Sequence, residues 1–434
     1  MKKSGLLCAA LVVASIGLVS CSSGVHVGTP PSGLTERVMA AQSASSPAAL
    51  AGLVIIDGQL DTLARGEVVT GGSPSYMVVS PSRATLLAFD SLANKVDVVN
   101  TKTEALAGSI PLAGATISMA IPNDTVAYAA VPDAPFNGAP QGGVVVMNLT
   151  AGVITATIGV PNAQMVVANP SGTQLLVFSG DNITGSVTVV SPLLLNTGVP
   201  VTATVTGFDY PVNAVFSADG STAYILNCGP ECGSASASAS VQTLDMASLA
   251  VGAQLPVDGA TIGFLNGSTL WVAGTPTASA SNPTPNNACT GETTAATTCG
   301  RLDTVDVSSM TVTGSAVITD GYHDRIDLGL GGQLFIGSHA CTNEGNVNNP
   351  QGEVRGCLSI FNAVNGTVVI PPDNGDVTGL QSFTTRYVEY VAEGGNLRVY
   401  NTTTDMLEAP NEYISDGTIV ITGVILDAKA VDFF

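Results

Sequence analysis

From Ser73 onward, short apolar runs alternate with tight polar breaks, and the runs come in fours. The stretch "SPSYMVVSPSRATLLAFDSLANKVDVVNTKTEALAGSIPL" shows one full cycle. An alternating apolar run is followed by a turn at Pro81-Ser82, a second run, a third ("KVDVVNT") and a fourth ("ALAGSIPL"). The same order returns from Pro161, with its turn at Ser171-Gly172, and from Tyr210, with its turn at Asp219-Gly220. Runs of about five to eight residues rich in Val, Ile, Thr and aromatics, with Gly, Pro, Asn and Asp between them, predict strands and turns. Helical periodicity is absent outside the first twenty residues.

Four-strand units on this template start near residues 73, 115, 162, 210, 259, 322 and 376. Two fragments remain. The C-terminal "ITGVILDAKAVDFF" reads as the first two strands of a unit, and the N-terminal "GLVIIDGQLDTLARGEVV" as the last two. Joined in space they complete an eighth unit, tying the chain ends together and leaving only short sheet edges. The expected fold is therefore all-β: a single β-propeller of four-stranded blades, closed by strands from both termini. Eight blades are favoured, and seven is the count if one terminal fragment is a stray strand.

The units resemble the YVTN-type propeller repeat of exported bacterial and archaeal proteins. The matching residues are Pro211 to Asn227 ("PVNAVFSADGSTAYILN"), Val96 to Thr101 ("VDVVNT") and Ala107 to Leu112. That resemblance implies fold more firmly than activity, since it spans surface-layer proteins and lactonase-like enzymes alike.

The chain opens on Met1-Lys2-Lys3, continues with an apolar run from Leu6 to Val19 and reaches Leu18-Val19-Ser20-Cys21. A basic head and a short apolar stretch read as an export signal over residues 1–20. Leu-Val-Ser-Cys resembles the lipobox of bacterial lipoproteins, which implies lipidation of Cys21 and, with Ser22 following, an outer-membrane destination where one exists. Residues 21–51 are rich in Ser, Ala, Gly and Pro and read as a flexible tether, leaving 52–434 for the propeller. The expected location is the cell envelope, with membrane contact through the lipid alone.

Charge narrows the partners. The chain has 13 Lys and Arg against 33 Asp and Glu, a net −20, and no cation lies between Lys102 and Arg301. Such a surface neutralises few phosphates, which excludes nucleic acid and electrostatic docking on anionic lipid.

Propeller geometry places the loops after each second strand on one face, together with the blade-to-blade crossings. Those loops are brief in the first and seventh units ("SLAN", "EGG") and long in the second, fourth, fifth and sixth. Loop length gathered on one face of a rigid scaffold marks a binding surface, and drift in tolerant surface loops is the plain alternative. Apart from Cys8 and Cys21, six cysteines fall pairwise in three of these loops: Cys228 and Cys232, Cys289 and Cys299, Cys341 and Cys357. In an exported chain such pairs read as disulfides, paired by proximity. Only Cys228/Cys232 has zinc-knuckle spacing, and no βαβ unit frames a redox motif.

The densest polar cluster is Tyr322-His323-Asp324-Arg325, with His339 ending the next strand. A hairpin turning about Gly331-Gly332 brings His323 and His339 to within one residue of direct register, close enough to share a ligand. With Asp324, Asp327 or Glu344 nearby, the pair is a candidate metal site or acid–base pair at the channel mouth. The plain alternative is a polar strand end, because two histidines without a third ligand are weak, and a one-residue slip turns one ring to the other face. Asp373, Asn374 and Asp376 in "PDNGDV" could hold Ca²⁺ but lack the spacing of a calcium loop. The single tryptophan, Trp271, departs from the repeated Trp docking of quinone-enzyme propellers. No cofactor is expected beyond such a metal ion. The expected function is a lipid-anchored binding module that presents its loop face to a protein, glycan or small ligand. A lactonase-like hydrolase or isomerase and a structural envelope component are the alternatives.

Overall fold

The computed structural model describes residues 30–43, 51–180, 185–199, 201–289, 298–342, 356–371, 375–410, 414 and 416–432. The expected signal peptide, Cys21, Glu344, Asp373 and Asn374 lie outside these residues.

Eight antiparallel four-stranded blades form the ring, the outermost position of the seventh being shared by two short strands, Met406–Leu407 and Thr418–Ile419. Blades 1 to 7 follow the repeat, each running from the innermost strand outward. Blade 1, for example, is Pro74–Val79, Thr85–Asp90, Lys95–Asn100 and Ala105–Pro111. Second and third strands are buried on both faces, whereas outermost strands are largely exposed, as "ALAGSIP" shows. The core therefore lies between blades. Leu87, Val96 and Ile110 of blade 1 pack on Ala127, Val131 and Val145 of blade 2, and each further interface repeats the pattern. Among the described residues no helix is long and apolar enough to cross a membrane.

The eighth blade closes the ring, but not as two strands plus two. The C-terminus supplies one strand, Val424–Ala430, and the N-terminal region supplies three: Arg37–Ser43, Gly52–Asp57 and Thr62–Val69. The propeller thus begins at Arg37 rather than residue 52, and a segment expected in the tether is a buried strand. Alanine explains the misreading. "RVMAAQS" reads as linker composition beside "SASSPAAL", yet small side chains suit a second strand pressed between two neighbouring blades. Other second strands use them likewise, as in "VAYAAV" and "TLWVAG".

Arg37 clasps this closure. Its Nε and Nη2 donate to Asp432 at 2.8 and 2.6 Å, and its Nη1 donates to Glu104 at 2.9 Å and to the Thr101 carbonyl at 2.6 Å. Around the axis, side chains of one innermost strand receive backbone N–H groups of the next. Asp327 accepts from Ser382 at 2.8 Å, Gln381 from Ala430 at 2.9 Å, and Asp427 from Met77 at 2.8 Å. Innermost strands also carry a recurring β-bulge, seen at Ser75, Gln164, Val212, Asp324 and Thr378, where one residue is skipped in the pairing. A bulge leaves its extra residue unpaired and re-aims its side chain.

Candidate functional site

The three cysteine pairs are disulfides: Cys228–Cys232, Cys289–Cys299 and Cys341–Cys357. Their loops follow the second strands of blades 4, 5 and 6, which are Thr222–Asn227, Thr269–Gly274 and Gln333–His339. Three disulfides fit an oxidising compartment outside the cytoplasm.

The first two loops are knitted together rather than merely adjacent. Ser279 Oγ donates to the Ser236 carbonyl at 2.6 Å, Ser281 Oγ to Ala235 at 2.6 Å, and Asn282 Nδ2 to Ala237 at 3.2 Å. Within the Cys228–Cys232 ring the chain makes a 3-10 turn, Gly229–Cys232, that aims Glu231 at blade 5. Glu231 Oε2 accepts the Thr275 N–H at 2.9 Å, and Thr275 Oγ1 donates to Gly321 of the blade 5–6 crossing at 2.8 Å. Burial pushes the Glu231 carboxyl up to about 8, against the opposing effect of the Thr275 N–H. Its lining of a water-sized cavity of about 30 Å³ makes it the hub of this platform. Sequence reading passed over Glu231, although its place between two bridged cysteines was the available signal.

Beside the platform lies the histidine cluster, and its geometry differs from expectation. Tyr322 pairs with His339, and His323 pairs with Ser338, so alternation sends the two imidazoles to opposite faces. They share no ligand. His323 is fully buried, its Nε2 3.0 Å from the Thr319 carbonyl, and desolvation pushes its pKa down to about 4. His339 is partly exposed and meets Asp324 instead, Nε2 to Oδ2 at 2.9 Å. The bulge makes this contact: Asp324 is the skipped residue, so its side chain joins the face that Tyr322 and His339 share. Asp324 Oδ2 also takes Arg325 Nη1 at 2.9 Å, while Asp376 Oδ2 stands 3.8 Å from His339 Nδ1. The hydrogen bond donated to the Asp324 carboxylate raises the His339 pKa despite some desolvation. Tyr322 is 47% exposed and makes no hydrogen bond to this set among the described residues.

The cluster therefore resolves into an imidazole flanked by Asp324 and Asp376, with an arginine on Asp324, at the channel mouth on the long-loop face. Such a set donates charged hydrogen bonds. Among the described residues no group of three or more His, Cys, Asp and Glu side chains is placed to hold a metal ion.

No family model matches the chain, and no curated protein matches it. Solved structures match over most of its length. A dihydro-heme d1 dehydrogenase, NirN, in complex with DHE is 12% identical, covering 91% of this chain and 75% of that one, with a TM-score of 0.58. A eukaryotic initiation factor is also 12% identical, covering 92% and 99%, with a TM-score of 0.52. A protein assigned as a 6-phosphogluconolactonase from Bacteroides uniformis is 12% identical, covering 91% and 99%, with a TM-score of 0.50. At such identities the likeness shows the fold alone, and the chain is an eight-bladed β-propeller with its own set of disulfide-tied loops.

Proposed function

We propose that the protein is an exported binding module, lipidated on Cys21 and held at a bacterial cell envelope, whose platform over blades 4, 5 and 6 engages a neutral or cationic partner. The observation that carries this reading is the knitting of the loops. Three side-chain-to-backbone bonds, the Glu231 bridge and the disulfides order segments too polar to order themselves by packing. Fixing long loops in advance removes an entropic cost that a partner would otherwise meet on binding. The exposed residues there are Ser, Thr, Asn, Ala, Pro and Gly, and the carboxylates beside them, Asp258 and Asp209, accept from Asn286 and Ser234, so among the described residues the surface carries no cation-repelling group of its own.

Two experiments test the two halves of this reading. Metabolic labelling with a clickable fatty acid should mark the wild type and leave Cys21→Ser unlabelled and released to the medium; equal labelling of both refutes the anchor. Replacing residues 276–298 by a short turn should abolish binding to isolated envelope fractions and leave the far-ultraviolet dichroism unchanged. Undiminished binding refutes the platform.

A further inference from the structure

Below the mouth, the innermost strands leave a cavity of about 440 Å³ along the axis. Val78 of blade 1, Ile262 of blade 5 and Leu380 of blade 7 form much of its apolar wall. Its polar groups have unequal remaining capacity, which decides what it can hold.

The acceptors are engaged or closed. Asp327 uses one oxygen on the Leu328 N–H and the other on the Ser382 N–H, both at 2.8 Å. Gln381 Oε1 takes the Ala430 N–H at 2.9 Å. Asp324 Oδ2 serves Arg325 and His339, and its Oδ1 is shut off from solvent. Behind the wall, Glu389 is fully buried with neither oxygen hydrogen-bonded in normal geometry. Desolvation, with the Asp327 charge adding to it, raises the Glu389 pKa well above its ordinary value.

The donors are open. Arg325 engages Nε with the Thr378 carbonyl and Nη1 with Asp324, and among the described residues its Nη2 donates to nothing. Among the described residues Lys429 donates to Asp427 alone, at 2.7 Å. The Arg325 guanidinium also lies 6.0 Å from the Tyr76 ring centre, which holds it over the cavity.

We propose that this cavity binds a small organic carboxylate, with its apolar body against Val78, Ile262 and Leu380 and its carboxylate on Arg325 Nη2 and Lys429 Nζ. Charge-assisted N–H to carboxylate bonds are about twice as strong as neutral ones. An apolar cleft with a few convergent polar groups is the usual form of a small-molecule site. An ammonium ligand meets the same two cations, and the Asp324 and Asp327 carboxylates in the lining already accept protein N–H groups. The proposal is independent of the platform reading, because it uses neither the loops nor a macromolecular partner.

Calorimetric titration of the full chain near neutral pH with benzoate, benzamide and benzylamine tests it, since the three probes share shape and differ in charge. Benzoate should bind at least about tenfold tighter than benzamide, a gap of about 1.4 kcal/mol. Benzylamine should give no heat. Arg325→Met and Lys429→Met should each weaken benzoate about tenfold or more. Arg325 also ties Asp324 to Thr378, so Ile262→Trp, which fills the cavity and keeps both cations, serves as the second variant and should abolish binding. Equal affinity for all three probes, tightest binding of benzylamine, no benzoate binding at millimolar concentration, or benzoate binding undiminished in Ile262→Trp each overturns the proposal.

Discussion

Removing the Arg37 guanidinium should unfasten the ring at its closure. Arg37 is 3% exposed, and its partners Glu104 and Asp432 are 5% and 21% exposed. Burial disfavours its charge, yet the hydrogen bonds to Asp432 and Glu104 outweigh that and raise its pKa. Arg37→Met keeps the packed stem and deletes four hydrogen bonds at once. Breaking a buried ion pair by removing one partner costs about 3–5 kcal/mol. Here Glu104 keeps the Ser32 N–H and hydroxyl at 2.7 and 2.5 Å, and Asp432 keeps the Arg37 backbone N–H at 2.9 Å. The expected loss is therefore at the lower end of that range, about 3 kcal/mol. It should be read by equilibrium urea unfolding, with amide exchange followed in parallel. Exchange should quicken in Arg37–Ser43 and Val424–Ala430 together, because each strand holds the other in the closing blade. A loss below about 1 kcal/mol, the range of exposed ion pairs, refutes the reasoning. So does faster exchange confined to residues 101–104.

The remaining predictions concern protons and disulfides. Glu231 keeps its proton in the folded state up to about 8, whereas an unfolded glutamate loses it near about 4.3. Stability should therefore fall as pH rises through that window, and Glu231→Gln should raise the urea midpoint at pH 8; a lower midpoint refutes the assignment. The histidines should act in opposite senses. His339, raised by Asp324, stabilises fully below its ordinary value of about 6.5, and that contribution fades as pH rises through its folded value. His323, held neutral down to about 4, destabilises as pH falls from about 6.5 toward 4. Imidazole proton shifts in wild type, His339→Gln and His323→Gln separate the two, and parallel titration refutes the assignment. Chain entropy gives about 2 kcal/mol for the Cys228–Cys232 bridge and about 3 kcal/mol for each of the other two. Serine pairs at each bridge, compared by urea midpoint, should rank in that order, with Cys228–Cys232 the smallest.

Strand positions, the repeat and the cysteine pairing were legible in the sequence because each is set by local order. A strand between two neighbours needs an apolar run, a tight turn needs Gly, Pro, Asn or Asp, and paired cysteines in one loop are already near each other. The seven internal blades follow from these rules. The eighth does not, because its strands come from opposite ends of the chain and only the ring's closure decides how many each end supplies. Alanine-rich Arg37–Ser43 resembles a linker until two blades press on it. The candidate site shows the same division. The sequence placed Tyr322, His323, Asp324, Arg325 and His339 together at one blade end, and register within one residue was the limit of what a hairpin reading supports. A bulge of a single residue then sent His323 into the core and turned Asp324 toward His339. Lys429 and Arg325 lie on different blades, and only the closed ring brings them to the wall of one axial cavity.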